Sequence, residues 1–502
     1  MTEVIFRVDA SYALGVGHVM RCLALAQDLL ARGARITFLC RAHVGHLQAL
    51  IEQRGIDVAL LPAPEPGMSA DPLGTSLQLD ARQTLDRMPA RPEWLVVDHY
   101  GIDATWEARV RPHVGRILVI DDLADRRHDC DVLVDQNLSL RPGRYDRLLP
   151  DSARQFLGPR FALLGREYRR ASARNTRADI GRILVSFGGS DPSNLTAVAL
   201  RALSSDRLRS LHVDVVVGVN HRQREELRAA ASARPRTTVW EPQRSLAGLM
   251  EAADLAIGAG GITSWERMCL GLPGIVVSIA ENQRPGCLAL AAEGLIYYAG
   301  HQDDVQAGAL AELVLAAAAH PDERIEMGER GRACVDGWGA ARVADAILPA
   351  ASDQLALRPA RPDDVYQYFA WVNDPDVRAQ SNRTGPIDFA HHRAWFAEQL
   401  AHAENRLLMM ECDGMPVGQI RFTRRDDAYL INYSVDAIFR GRGWGARLVQ
   451  LGLATWREPG SPRFLAEVKH GNQASAAVFE RLGFVEVGSG PALRVFERRA
   501  PG

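Results

Sequence analysis

The feature that most restricts the fold is an alternation of short aliphatic runs with segments whose apolar residues recur at helical spacing. VIFRV (4–8), RITFLC (35–40), DVALL (57–61), WLVVDHY (94–100), RILVID (116–121) and DVLVD (131–135) are separated by stretches such as MRCLALAQDLLARG. Continuous apolar runs suit strands buried on both faces, and helical segments between them supply the crossovers of a parallel sheet. A doubly wound α/β fold is expected at the start of the chain. After an Arg-rich connector around 166–180 the pattern restarts with RILVSFGG, VDVVVG, TTVWE, DLAIGAGG, GIVVSIA and LIYYAG. That predicts a second Rossmann-like half facing the first across a cleft.

From near Leu355, after the spacer LPAASDQ, the order changes. A strand (LALRPA) and helices precede consecutive strands (RLLMMEC, PVGQIRFT, YLINYSV), a glycine-rich turn into a helix, a strand (FLAEVKH) and a last helix, which is α+β order. Since 502 residues exceed what one hydrophobic core organises, the expected division is 1–168, 169–350 and 355–502.

The charge balance excludes some functions. A net charge of -2 supplies no field for nucleic acid or an anionic membrane surface. Lys469 is the only lysine, and it sits in neither a Walker phosphate loop nor a Schiff-base setting, so P-loop and pyridoxal-phosphate chemistry are set aside. The seven cysteines are scattered without a C-x-x-C pair, as reduced thiols usually are. No apolar run approaches the roughly 18 residues of a membrane span. A cytoplasmic protein without nucleic-acid or membrane partners is expected.

Between the first strand and an amphipathic helix lie Asp9, then Gly15-Val16-Gly17-His18, with Arg21 one turn on. Ligands of open parallel sheets bind at this carboxyl edge, and helix N-terminal amides favour anions. An imidazole aimed there is a natural general base, although Gly-x-Gly also serves ordinary tight turns. The stretch RVDASYALGVGHVMRCLALA resembles the start of the family that hydrolyses UDP-2,4-diacetamido-2,4,6-trideoxy-β-L-altropyranose in pseudaminic acid biosynthesis. The resemblance spans roughly residues 1–350 and implies a GT-B-type pair of Rossmann-like halves, with His18 catalytic and Asp9, Gly17 and Arg21 beside the substrate.

In the second half, RILVSFGGSDPSN places Gly188 and Gly189 after a strand, where amides can approach a phosphate, with Ser190, Asp191 and Asn194 near the next helix start. DLAIGAGGITSWERM combines Gly260 and Gly261 with Thr263, Ser264 and Glu266. It resembles the UDP-binding segment of glycosyltransferases related to the peptidoglycan enzyme that transfers N-acetylglucosamine, which implies that Glu266 binds ribose hydroxyls. Asn282 and Gln283, in SIAENQRPG, are implied sugar contacts, as is Tyr100 at a first-half strand end; Asp98 and His99 also read as ordinary strand-end polar groups. Water activated by His18 would attack the anomeric carbon with inversion, and glycine amides with helix dipoles would neutralise the leaving UDP. Asp129-Cys130-Asp131 and Asp374-Pro375-Asp376 match Asp-x-Asp, but neither adjoins a phosphate turn and no metal is expected.

The third section carries Arg440-Gly441-Arg442-Gly443-Trp444-Gly445 between the strand ending at Val435 and a helix. Consecutive amides at such a turn form a pyrophosphate pocket, as holding CoA demands. FLAEVKHGNQASAAVFERLGFVEVG resembles the later motif of the GNAT acetyltransferases, through Asn472, Ser475, Leu482, Gly483 and Phe484; WVNDPDVR resembles the same superfamily near the start of this section. Over roughly 355–498 this implies acetyl-CoA as co-substrate, held by Val435, Arg440, Gly441, Arg442, Gly443, Gly445, Asn472 and Ser475. One departure is Phe479, where many members have a tyrosine as general acid. Glu467 is a candidate base or a solvated strand carboxylate. Joined to this hydrolase, the domain is expected to N-acetylate the 4-amino group of the UDP-sugar precursor. The competing reading is a GT-B glycosyltransferase with a degenerate CoA-binding module.

Overall fold

Strand β1 (Glu3–Val8) is buried at every position after its first, and everything in the first half is arranged around it. With β2 (Arg35–Arg41), β3 (Asp57–Leu61), β4 (Trp94–Asp98), β5 (Arg116–Ile120), β6 (Val132–Asp135) and β7 (Arg154–Leu157) it forms a sheet of order β3-β2-β1-β4-β5-β6-β7. All of these pairs are parallel. The strand order reverses between β1 and β4, where Val8 is registered against Asp98, and a crevice opens beyond their carboxyl ends. Strand β7, RQFL, is the one strand of this sheet that the pattern reading did not include: an edge strand exposed at three of four positions carries no apolar run.

The second sheet comprises β8 (Arg182–Ser186), β9 (His212–Val216), β10 (Thr237–Trp240), β11 (Leu255–Ala259), β12 (Gly274–Ser278) and β13 (Tyr297–His301), in the order β10-β9-β8-β11-β12-β13. It too is parallel, and its order reverses between β8 and β11. Ile183, Val185, Val213, Val215, Ile257 and Ile275 fill its core. Two Rossmann-like halves of GT-B type therefore make up the unit Met1–Leu348. Its last helix, Gly339–Ile347, is buried along its whole length and packs against the first half rather than the second. Arg32, on the turn after the helix Gly17–Ala31, donates to the carbonyls of Leu348 at 2.8 Å and Ala341 at 3.1 Å. A Cβ at Gly339 would collide with the Ala162 carbonyl, so this approach requires glycine.

The unit Pro349–Gly502 holds one sheet, of order β14-β15-β16-β17-β18-β20-β19. Its strands are β14 (Leu355–Pro359), β15 (Arg406–Cys412), β16 (Met415–Arg425), β17 (Ala428–Val435), β18 (Arg463–Lys469), β19 (Val485–Ser489) and β20 (Leu493–Arg499). Every pair is antiparallel except β17 with β18, which are parallel and registered only from Ala428–Leu430 against Arg463–Leu465. Beyond that point both strands continue unpaired with each other, leaving a V-shaped opening. The chain does not finish on the helix Gln473–Arg481, as the sequence pattern suggested, but on β19 and β20. VEVGS is exposed throughout, and LRVFERR is interrupted by charge, so neither has a buried strand's apolar run. The structure describes residues 1–68, 71–89, 91–170, 177–189, 191–218, 221–350, 354–381, 383–456 and 462–499. Ser190 and part of the connector at 166–180 lie outside them.

Candidate active sites

His18 lies in the first turn of the helix Gly17–Ala31, whose start no side chain caps. Gly15, at φ +76°, turns the chain out of β1 towards it. The His18 Nδ1 is 2.6 Å from Oδ1 of Asp98, the last residue of β4. Arg21, one turn further along the helix, donates through Nε and Nη2 to both oxygens of the same carboxylate at 2.7 Å each. Burial opposes ionisation of Asp98, yet Arg21 and then His18 hold its carboxyl well below the usual range. An ionised Asp98 fixes the tautomer with hydrogen on Nδ1, which leaves Nε2 with a lone pair. Among the described residues none pairs with Nε2, and the side chain stays 11% exposed.

Tyr100 meets the His18 ring edge-on, 4.5 Å between centroids. Burial and then Asp122 raise its phenol far above the ordinary value, so it stays protonated and donates to Asp122. From the second half, Asn282 Nδ2 donates to the Tyr100 hydroxyl at 3.0 Å. A second meeting of the halves is at Gly189, where an added Cβ would lie 3.1 Å from Val16. Both reversal points thus face one crevice: His18 and Asp98 from the first sheet, and Gly188, Gly189, Gly260 and Gly261 from the second.

Around the second sheet's reversal point, Gln283 Oε1 accepts from the Ile279 amide at 3.0 Å, beside Gly260 and Gly261. A Cβ at Gly260 would strike Cys287 Sγ, whereas Gly188, at φ +85°, has open space before it. Glu266 is half-buried; burial pushes its carboxyl up to about 7 against the hydrogen bond from Tyr168 and the charge of Arg267. Arg267 runs beneath the turn, donating to the Ala259 carbonyl at 3.0 Å and to Ser264 Oγ at 2.9 Å.

Several residues read from sequence as substrate contacts are engaged within the protein. Asp9 is wholly buried, ion-paired to Arg7 at 2.7 Å, and accepts from the Arg41 amide at 2.6 Å. It belongs to a network behind the crevice that includes Asp80, Trp106 and His99. The Ser264 hydroxyl faces inward to Arg267, and Arg21 is engaged by Asp98 and Asp122 beside His18. Asp191 caps the helix Leu195–Leu203 through its own carboxylate. Conversely, Asp98 and Asp122 are central although the sequence left the first open and did not single out the second. The remaining signal was positional: Asp98 closes a strand next to β1.

In the second unit, the turn before the helix Trp444–Leu453 has Gly441 at φ +80° and Gly443 at φ +76°, and neither has an atom within 4 Å of an added Cβ. That backbone leaves room for a bulky anion on amides, so it fits the pyrophosphate of CoA. The side chains do other work. Arg440 donates to the Val435 carbonyl at 3.1 Å and to Asp374 and Asp376 at 2.7 and 2.6 Å, which anchors the turn. Arg442 stacks on Phe439 and Trp444, 5.2 and 5.3 Å from their centroids. Asn472 caps its helix by accepting from the Ser475 amide at 3.1 Å. Arg440, Arg442 and Asn472 therefore support the turns by their side chains, and their backbone amides stay at the turns. Gly445 lies under the Tyr433 ring, and Glu467 pairs with Arg425. The two Asp-x-Asp pairs are taken up by arginines, Asp129 and Asp131 by Arg111 and the other pair by Arg440. No group of three or more metal-binding side chains occurs among the described residues, and no helix is long and apolar enough to cross a membrane.

Residues 354–485 match the family model described as acetyltransferase (GNAT) domain. The second unit is a GNAT domain. Acetyl-CoA is the acetyl donor of such domains, in keeping with the fit of the Gly441–Gly443 turn. Along 96% of both chains, this chain is 23% identical to an uncharacterized protein of Methanocaldococcus jannaschii. Over 38% of this chain and 57% of the relative it is 30% identical to a spore coat polysaccharide biosynthesis protein of Bacillus subtilis. Over 58% of this chain and 97% of the relative it is 24% identical to the UDP-2,4-diacetamido-2,4,6-trideoxy-beta-L-altropyranose hydrolase of Campylobacter jejuni. The chain therefore joins a unit of two Rossmann-like halves of GT-B type to a GNAT acetyltransferase domain.

Proposed function

We propose that the first unit hydrolyses a UDP-linked 2,4-diacetamido-2,4,6-trideoxy sugar of the altropyranose type, and that the GNAT unit N-acetylates the 4-amino group of its precursor. The observation that carries the first activity is the His18–Asp98 pair at the point where the first sheet reverses, set against Tyr100 and, through it, Asn282. Asp98 holds Nδ1, so Nε2 can take a proton from water as its oxygen bonds to the anomeric carbon and the bond to UDP breaks. Tyr100 and Asn282 would hold the sugar; Gly188, Gly189, Gly260 and Gly261 would offer amides to the diphosphate, and Glu266 would accept from the ribose hydroxyls. Similarity to the Campylobacter jejuni hydrolase supports this substrate class. With both activities on one chain, acetylation directly precedes UDP release.

The test is a phosphorus and proton NMR time course of the full chain with UDP-4-amino-4,6-dideoxy-β-L-AltNAc, with and without acetyl-CoA. Acetylated free sugar and UDP should appear only when acetyl-CoA is present. Release of UDP that needs an added sugar acceptor would replace hydrolysis with glycosyl transfer. Hydrolysis of pre-acetylated UDP-sugar without acetylation of the amine would retain the first activity and reject the second.

A further inference from the structure

The helix position at which many GNAT members carry a tyrosine holds Phe479, yet a phenol stands beside it. Tyr433 lies on β17 past Leu430, where β17 and β18 are no longer paired. Its ring meets Phe479 edge-on with centroids 5.8 Å apart. A Cβ added to Gly445 would be 3.3 Å from its ring, so it covers the start of the helix Trp444–Leu453. The hydroxyl donates to Ser475 Oγ at 3.3 Å, in the first turn of the helix Gln473–Arg481. One phenol thus spans the V-shaped opening from strand to both helices, half-buried, with its hydroxyl at the face where Phe479 has only carbon.

We propose that Tyr433 is the proton donor of acetyl transfer and fills the role for which position 479 has no hydroxyl. The inference rests on the reading of this unit as an acetyl-CoA-dependent amine acetyltransferase. As the amine nitrogen bonds to the acetyl carbon and the carbon–sulfur bond breaks, Tyr433 passes its proton to sulfur, and CoA leaves as the thiol. The proton lost by the amine goes to water, and water returns one to the phenolate, so the sum is amine plus thioester giving amide plus thiol. Burial keeps the Tyr433 phenol above its ordinary value, so it carries its proton throughout the neutral range. Its bond to Ser475 is long for a hydroxyl pair, so it can be exchanged for sulfur at little cost.

The experiment uses the full chain and CoA alone, following thiolate absorbance of bound CoA against pH. A hydrogen bond from Tyr433 to the thiolate should lower the bound thiol by about one pH unit from its free value near about 8.5, a tenfold gain in thiolate. In Tyr433→Phe the shift should vanish, and adding Phe479→Tyr should restore part of it. With acetyl-CoA and the amino sugar, kcat of Tyr433→Phe should drop about 100-fold while KM for acetyl-CoA changes little. A wild-type bound thiol that titrates no lower than free CoA overturns the proposal whatever the variants do. So does an unchanged titration or kcat in Tyr433→Phe. Failure of the wild type to bind CoA would instead remove the acetyltransferase reading, and this proposal with it.

Discussion

Asp98 decides what His18 can do. An imidazole in the first turn of a helix rotates freely unless one nitrogen is held, and here a carboxylate kept ionised by Arg21 holds it. Asp98→Asn should therefore lower UDP release by about 10²–10⁴-fold, like His18→Ala, while calorimetry finds UDP affinity nearly unchanged in both. Since its folded carboxyl titrates below the unfolded one, Asp98 stabilises the fold above the ordinary carboxylate range, and this is lost as pH falls through the lower folded value. Acid unfolding of Asp98→Asn should accordingly show a weaker pH dependence. Glu266 has the opposite sign. Its carboxyl rises from 4.5 to about 7, so between those values the folded chain binds more protons and stability falls as pH rises. Glu266→Gln should flatten urea-unfolding stability over that interval, and Glu266→Ala should weaken UDP binding; unaltered affinity would reject a ribose contact.

The two phosphate-sized turns differ in why glycine is needed. At Gly441 there is open space but φ is +80°, so alanine would strain the backbone by about 1 kcal/mol or more without a clash. Gly441→Ala is expected to raise KM for acetyl-CoA several-fold through this backbone strain, with a small change in Tm. At Gly260 φ is not left-handed, and the obstacle is Cys287 Sγ directly ahead of any Cβ. Gly260→Ala should therefore damage UDP binding, and Cys287→Ala in the same chain should recover much of it. Arg440 links the Gly441 turn to the cap of the helix Pro375–Gln380 through Asp374. Its loss should loosen CoA binding although the guanidinium is spent within the protein.

At the scale of the molecule, the helix Gly339–Ile347 ties the end of the first unit to its beginning. Its residues are buried, Arg32 donates to the carbonyls of Ala341 in its first turn and Leu348 at its end, and Arg342 pairs with Asp336. A chain cut after Leu348 should keep UDP-sugar chemistry, whereas one cut after Trp338 should unfold at markedly lower temperature, because a continuous apolar face of the first half loses its cover. Calorimetry on both fragments tests this.

Much of this was legible in the sequence because buried parallel strands need unbroken apolar runs, and ligand turns of such sheets need glycine after them. VIFRV, WLVVD, RILVS and DLAIGA announced both parallel sheets, G-x-G-H and Gly260-Gly261 marked their turns, and R-G-R-G-W-G marked the turn of the third sheet. The edge strands RQFL and VEVGS escaped, since they face solvent and need no apolar pattern, and LRVFERR escaped because charge interrupts its half-buried run. Sequence determined which chemical groups the chain owns and at which strand ends they stand. Only the tertiary structure decided which of them meet. Asp9 and Asp98 both follow apolar strands, yet one is consumed by Arg7 and Arg41 and the other is aimed at His18. Tyr433 and Phe479 lie 46 positions apart, and the parting of β17 from β18 brings their rings together. Such outcomes depend on distances between elements remote in the chain, which local patterns of hydrophobicity do not encode.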